Sequence, residues 1–400
     1  MRRRRAVLLL LVMALSLGGC WNRDEVNDLA IVAMIGLDQR EDGWVELWVQ
    51  LVLPEGAGQA PGQGGGGKPG PKFITHTASG RTILEASREI QLEVPRRLFW
   101  AHARVILLSE RLARAGVRPV MDFLTRHPQL RMTNYVLVAR GEMAEVMSAA
   151  VDLERLPSEH IREISRARVG VEVQIHEWVE TLASTGAEPI MGAVEIIPPP
   201  EGASEGQHGT IRLLGTALFR RDRLVGFLDR QSTRGLLWLR DEIEQGVITI
   251  QPLGGDQSVS IVMRAASWVD RKARMENGRL VIDVRARMEG DITELQASLD
   301  LSQSQVVRQV EQELSREIAR RMEAVLSELQ SQSLDAAGLG EVVHRQWPGV
   351  WKTLEKDWLT RGFGATKVNI FVEAKVRRTG LTSKPLGVRE EELNRGGEQP

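Results

Sequence analysis

Residues 302–330 read SQSQVVRQVEQELSREIARRMEAVLSELQ. Val307, Val310, Leu314, Ile318, Met322, Val325 and Leu329 recur at three- and four-residue steps, which places them on one face of a helix. Glu, Gln, Arg and Ser hold most of the other positions, and Ser302 and Gln305 are spaced for a capping box. Such a stripe needs a surface to cover. An internal sheet is the commoner answer and a partner protein the rarer one. The flanking sequence supplies strands. Val368, Ile370, Val372 and Ala374 alternate downstream, after a second helix at Pro348–Trp358 that carries Val350, Trp351, Leu354 and Trp358. Upstream, Ile211–Phe219 and Leu224–Leu228 flank the turn Arg220–Arg223. Ser258–Asp270 and Arg279–Met288 flank a longer connection that ends in Asn277-Gly278, a tight-turn signal. Leu236–Ile243 is expected as a short helix. Trp238, Trp347, Trp351 and Trp358 are expected to fill cores.

The first half mixes both periods. Ile31–Asp38 and Val45–Leu53 read as strands joined by the turn Glu41-Asp42-Gly43; Val45, Leu47, Val49, Leu51 and Leu53 share one face. Residues 55–71 are rich in Gly and Pro and read as a mobile loop. Within them, Gly62 to Lys68 matches the first seven positions of a phosphate-binding loop. Pro69 then stands where a hydroxyl must open a helix, which argues against nucleotide binding. A helix follows at Ser79–Gln91, with Ile83, Leu84, Ser87 and Ile90 inward. After it come a buried strand at Val105–Leu108, a helix capped by Ser109 and ended by Gly116, and one opened by Pro119. A strand at Tyr135–Ala139 and helices near Glu142–Val151 and Val173–Ala183 complete this half. Ile197-Pro198-Pro199-Pro200 and the polar run to Gly209 mark a boundary. The expectation is an α+β, multi-domain chain of about three mixed α/β domains with largely antiparallel sheets. The domains span 20–200, 201–290 and 291–378, the last with the long amphipathic helix, before a loose tail at 379–400.

Residues 1–19 read as a lipoprotein signal peptide. Arg2 to Arg5 precede an apolar run from Ala6 to Leu17, too short to span a bilayer. Leu17-Gly18-Gly19-Cys20 then has the form of a lipobox, which makes Cys20 the expected site of lipid attachment. It is the only cysteine in 400 residues, so no internal disulfide can form. A diacyl anchor provides the two chains that stable membrane attachment takes. Trp21 would follow at headgroup depth. Loss of four Arg with the signal moves the formal net charge from −1 to −5. A weakly acidic body argues against a nucleic-acid partner.

Motifs for chemistry are absent. None of the seven His residues begins a His-Glu-x-x-His motif, there is no Gly-x-Ser-x-Gly elbow, and the lone thiol is committed to lipid. No catalytic residue, metal ligand or cofactor is assigned.

Several segments resemble the Ger(x)C family of spore germination lipoproteins. Cys20 to Ala30 with Ile35-Gly36-Leu37-Asp38 is similar to the family's mature start. Arg97-Leu98 with His102-Ala103-Arg104-Val105, and Asp122 to Arg126 with Arg131, resemble its next blocks. Gly215 to Phe219, Leu224-Val225-Gly226 and Arg234 to Leu239 resemble a third, and His344 to Pro348 with Trp351-Lys352 its C-terminal signature. The resemblance implies a non-catalytic, lipid-anchored subunit on the outer face of a membrane, the spore inner membrane. It would assemble there with A- and B-type integral membrane subunits into a receptor for nutrient germinants. His102, Arg126, His344 and Trp351 fall on family positions without an assigned role. Two other readings stand beside it: a solute-binding lipoprotein that captures the germinant, and a cell-envelope hydrolase.

Overall fold

Leu29–Gln39 (β1) carries an almost unbroken apolar run and is buried on both faces, as a central strand must be. The computed structural model describes residues 25–54, 72–149, 151, 153–202, 209–251, 258–264, 267–385, 388 and 393. Val45–Val52 (β2) pairs antiparallel with β1 through the expected turn, where Gly43 takes a positive φ, and Phe73–Gly80 (β3) pairs with β2. On the other side of β1, Val105–Ser109 (β5), Tyr135–Arg140 (β6) and Ile190–Ile197 (β7) run parallel to it, and Arg97–Phe99 (β4) pairs parallel with its start. Thr210–Arg220 (β8) and Arg223–Leu228 (β9) close the sheet antiparallel. Antiparallel hairpins therefore flank a parallel centre.

Helices cover both faces of this sheet. Met143–Ser148 (α4) and Pro157–Arg166 (α5) seal one face over Met34, Val105, Leu107 and Leu137. Ile83–Glu93 (α1), Glu110–Ala115 (α2), Arg118–Arg126 (α3) and Ile175–Ala183 (α6) seal the other over Ile35, Leu47, Val49 and Ile106. Coverage of both faces explains Gln50, which lies on the face of β2 opposite Leu47 and Val49. It is buried, and its amide donates to the Met147 carbonyl at 3.1 Å. Ser109 accepts from Leu112 N at 3.0 Å, as its N-cap position requires, and Gly116 ends α2 at φ +124°.

Arg230–Arg240 (α7) leads to a second sheet of Val247–Ile250 (β10), Val259–Met263 (β11), Trp268–Glu276 (β12), Arg279–Leu295 (β13) and Lys367–Arg378 (β14). β14 runs parallel along one edge of β13, while β12 and then β11 pair antiparallel along the other. Asn277 and Gly278, both at positive φ, make the tight β12–β13 turn. Ser304–Ser331 (α8) buries the anticipated stripe from Val310 to Leu329 against β14 and α7, with Val306 and Leu326 buried as well. It also guards the edge of β14: Ser315 Oγ and Glu311 Oε1 accept the N–H groups of Ala374 and Val376 at 2.9 and 3.0 Å. Leu339–Gln346 (α9) and Pro348–Asp357 (α10) complete the described helices of this half, apart from the π-turn Trp358–Gly362 and the turn Phe363–Ala365.

Several expectations need correction. The cuts after residues 200 and 290 do not fall between sheets. β7 and β8 pair across the first, and β13 runs through the second, and the described residues build two sheets. Gln303, not Ser302, precedes α8; the Ser302 hydroxyl instead bonds Asp300 at 2.5 Å, and no side chain caps the helix. α1 begins at Ile83 under a Thr82 cap, because Ser79 and Gly80 finish β3; Leu84 faces solvent. Ser258–Asp270 splits into β11 and the start of β12. Trp347 is 42% exposed and hangs from the Ala273 carbonyl by its indole N–H at 3.0 Å. The start of the tail is held, with Leu301 N donating to Ser383 O at 2.8 Å. Cys20, the signal segment, Trp21 and residues 55–71 lie outside the described residues.

Gly235 brings α7 close to α8. A Cβ there would lie 2.5 Å from the Arg321 carbonyl oxygen. In an open helix Gly→Ala gains about 1 kcal/mol. Here Gly235→Ala is expected to lose about 1–3 kcal/mol by forcing backbone apart. Denaturant unfolding of the full chain reads the sign, and a gain in stability would contradict this packing.

Candidate functional site

The residues singled out by resemblance gather in two places. Phe99, Trp100, His102, Phe123 and His127 form a ring cluster at the end of the first sheet. Phe99 and His102 lie 5.5 Å apart, Trp100 and His127 5.7 Å, and Phe123 and His127 5.4 Å. Burial lowers the pKa of His127, which favours a neutral ring. Arg126 is exposed and pairs with Asp122 one helical turn back at 2.8 Å, a contact of small energetic weight.

The second place is the seam between the two sheets. α8 ends at Ser331, and Leu334-Asp335-Ala336-Ala337-Gly338 turns the chain into α9, with Gly338 at φ +67°. Asp335 is fully buried there. Its carboxylate accepts the first N–H groups of α9, from Leu339 at 3.0 Å and Gly340 at 2.7 Å, and the Trp358 indole N–H at 2.8 Å. Burial pushes its pKa up to about 6, against the pull of those donors. The backbone carbonyl of the same residue receives Glu188 N, from the loop that enters β7, at 2.9 Å. Glu188, itself buried, accepts Arg221 N at 2.6 Å, and burial raises its pKa too. A Cβ on Gly340 would lie 2.5 Å from the Gly186 carbonyl oxygen, so only glycine permits this approach. Arg240 reaches across to the Ala336 carbonyl at 2.8 Å, and Ser184 donates to Glu341.

His344 and Trp351 belong to this seam. His344 stacks on Trp351 at 5.7 Å, and Trp351 meets the edge of Trp358 at 5.4 Å. The arrangement is a staple. Each Asp335 oxygen already accepts amide or indole hydrogen, and none of it reaches solvent. An acidic cleft of about 430 Å³ opens nearby over Trp178 and Leu237. Its carboxylates are largely engaged: Glu172 and Glu244 with Arg168, Glu242 with Arg240, and Asp241 with Val269 N. Among the described residues no group of three or more His, Cys, Asp or Glu side chains could hold a metal, and no helix is long and apolar enough to cross a membrane. Sequence reading missed Asp335, Glu188 and the Gly186–Gly340 contact. The spacing of Asp335 ahead of Gly338-Leu339-Gly340, an acid just before a helix start, was the available signal.

Residues 22–196 match the family described as "Spore germination protein N-terminal domain", and residues 214–380 match "Spore germination B3/ GerAC like, C-terminal". A relative from Bacillus subtilis (strain 168), the putative spore germination protein YfkR, is 31% identical over 88% of this chain and 91% of its own. The chain belongs to the GerC family of spore germination proteins. Spore germination protein KC from the same organism is 27% identical over 96% of this chain and 98% of its own, and spore germination protein B3 is 25% identical over 93% and 97%. The crystal structure of the GerBC protein superposes with a TM-score of 0.57 at 23% identity, covering 86% of this chain and 96% of that one, which shows the shared fold. The two family matches meet between residues 196 and 214, within the β7–β8 connection, so the family's two domains share the first sheet in this GerC-family member.

Asp335 sets a pH dependence. Its carboxyl titrates near 6 in the fold and near 3.9 unfolded, so the folded state binds the proton more tightly. That contribution is complete below about pH 4 and is lost as pH rises through about 6, a change of about 3 kcal/mol. Relative to Asp335→Asn, the wild type is expected to lose stability across this window; a stability difference that stays flat with pH would contradict the assignment.

Proposed function

We propose that this chain is the lipid-anchored, non-catalytic subunit of a spore germinant receptor and assembles beside integral membrane subunits of the A and B types. Family membership carries the reading. The anchor rests on the order of charges, apolar run and small residues before Cys20. Attachment there constrains geometry. Nine residue steps separate Cys20 from Leu29, where β1 begins, and a fully extended chain covers them in about 30 Å at most. β1 is central in the first sheet. The tether thus holds the rigid centre of the body near the bilayer, not a floppy appendage. Confinement to that layer raises the effective concentration toward membrane partners, so modest contacts suffice for assembly.

Cys20→Ala is expected to move the protein from the membrane to the soluble fraction of spores and to weaken the response to nutrients. A variant that still sediments with membranes and germinates normally would rule out the anchor. Affinity capture of the wild type from spore membranes should bring two polytopic proteins with it; recovery of the chain alone would count against the receptor role.

A further inference from the structure

A second concavity, of about 840 Å³, lies where α5, β8, the start of α7 and α8 meet. It has two kinds of lining. Ile164, Val169, Ile211 and Leu213 give it an apolar wall, and Arg230, Arg234 and Arg321 give it positive charge. Arg234 is the unusual member. Its guanidinium, partly buried, is pressed under Gly246, where a Cβ would lie 2.0 Å from a terminal nitrogen. It donates to the Gln245 carbonyl at 3.3 and 3.4 Å and to the Met263 sulfur at 3.6 Å. Among the described residues no carboxylate pairs with it, and burial together with the nearby Arg321 lowers its pKa. Arg321 offers little relief, because it shares its one carboxylate, Glu317, with Arg320. Arg230, exposed at the mouth, also lacks an acidic partner among the described residues. Of the nearby acids, Asp229 caps α7 at 2.7 Å from Ser232 N and Glu195 pairs with Arg212 at 2.8 Å, while Glu328 lies near Asp229.

A half-buried guanidinium without a counter-charge is costly, and an incoming anion removes that cost. The apolar wall adds a reason for the anion to carry hydrocarbon, and the volume is that of a small-molecule site. We propose that this groove binds a small amphiphilic anion, with its carboxylate or phosphate head on Arg234 and Arg230 and its apolar body along Ile164, Val169, Ile211 and Leu213. This site is separate from the anchor and does not depend on the receptor role.

The test uses the full chain carrying Cys20→Ala, so that no acyl group or detergent competes. Calorimetry is run with octanoate, octylamine and inorganic phosphate, and flotation with vesicles of phosphatidylglycerol or phosphatidylcholine. Octanoate is expected to bind at one saturable site and octylamine not at all. Arg234→Gln should weaken binding about tenfold or more, while Arg234→Lys keeps part of it. Arg230→Gln changes an exposed side chain, so its expected severalfold loss cannot be ascribed to misfolding. Arginine-dependent flotation with phosphatidylglycerol and no octanoate binding would name a membrane lipid as the source of the same chemistry. Equal binding of octanoate and octylamine, or binding indifferent to both Arg234→Gln and Arg230→Gln, would overturn the site. Phosphate alone binding as tightly as octanoate would overturn the role of the apolar wall.

Discussion

A carboxylate with no access to water holds the two sheets in register. Asp335 sits where α8 turns into α9, takes two amide hydrogens and an indole hydrogen, and offers its own backbone carbonyl to Glu188, in the loop that enters β7. Removing such a charge from water is expensive, and it is tolerated here because each oxygen has a donor. The geometry is demanding. α9 must point its first turn at the acid, Trp358 must approach edge-on, and Gly186 and Gly340 must lack side chains. A single apolar cluster then runs from β1 through Trp178, Phe219 and Trp238 to the stripe of α8. Two family domains thereby share one body.

Much of this was legible in the sequence. The α8 stripe, the Ser109 cap, the Gly116 stop, the β1–β2 hairpin and the Asn277-Gly278 turn follow from local rules about spacing and backbone preference, and each holds in the fold. What escaped depends on distant partners. The Pro-rich stretch after Ile197 has the composition of a linker, yet it joins two adjacent strands, and composition cannot say what pairs beyond it. Alternation places Gln50 on the face opposite Leu47 and Val49 but cannot say that α4 covers that face too. Trp347 looked like core because bulk was weighed without the hydrogen bond that holds it at the surface.

The seam and the arginine groove were hidden for the same reason. Asp335 and Glu188 are separated by 147 positions in the chain, and Arg234 and Arg321 by 87. Nothing in either neighbourhood announces its partner. Resemblance to a family pointed at Arg234 to Leu239 as a block, but not at Arg234 as a half-buried guanidinium with no carboxylate partner among the described residues.

β14 has a consequence for biogenesis. It is the last of the described strands, lies parallel beside the middle of β13, and its Asn369 amide reaches Asp283 at 2.8 Å across 86 positions. A polypeptide emerges from its N-terminus onward, so the first sheet can assemble while the second still lacks a member. Until residue 378 has emerged, β13 presents an unpaired ladder along that edge to whatever is near, and α8 has no strand to shield. A chain arrested short of that point would be a sticky intermediate, a natural target for quality-control proteolysis.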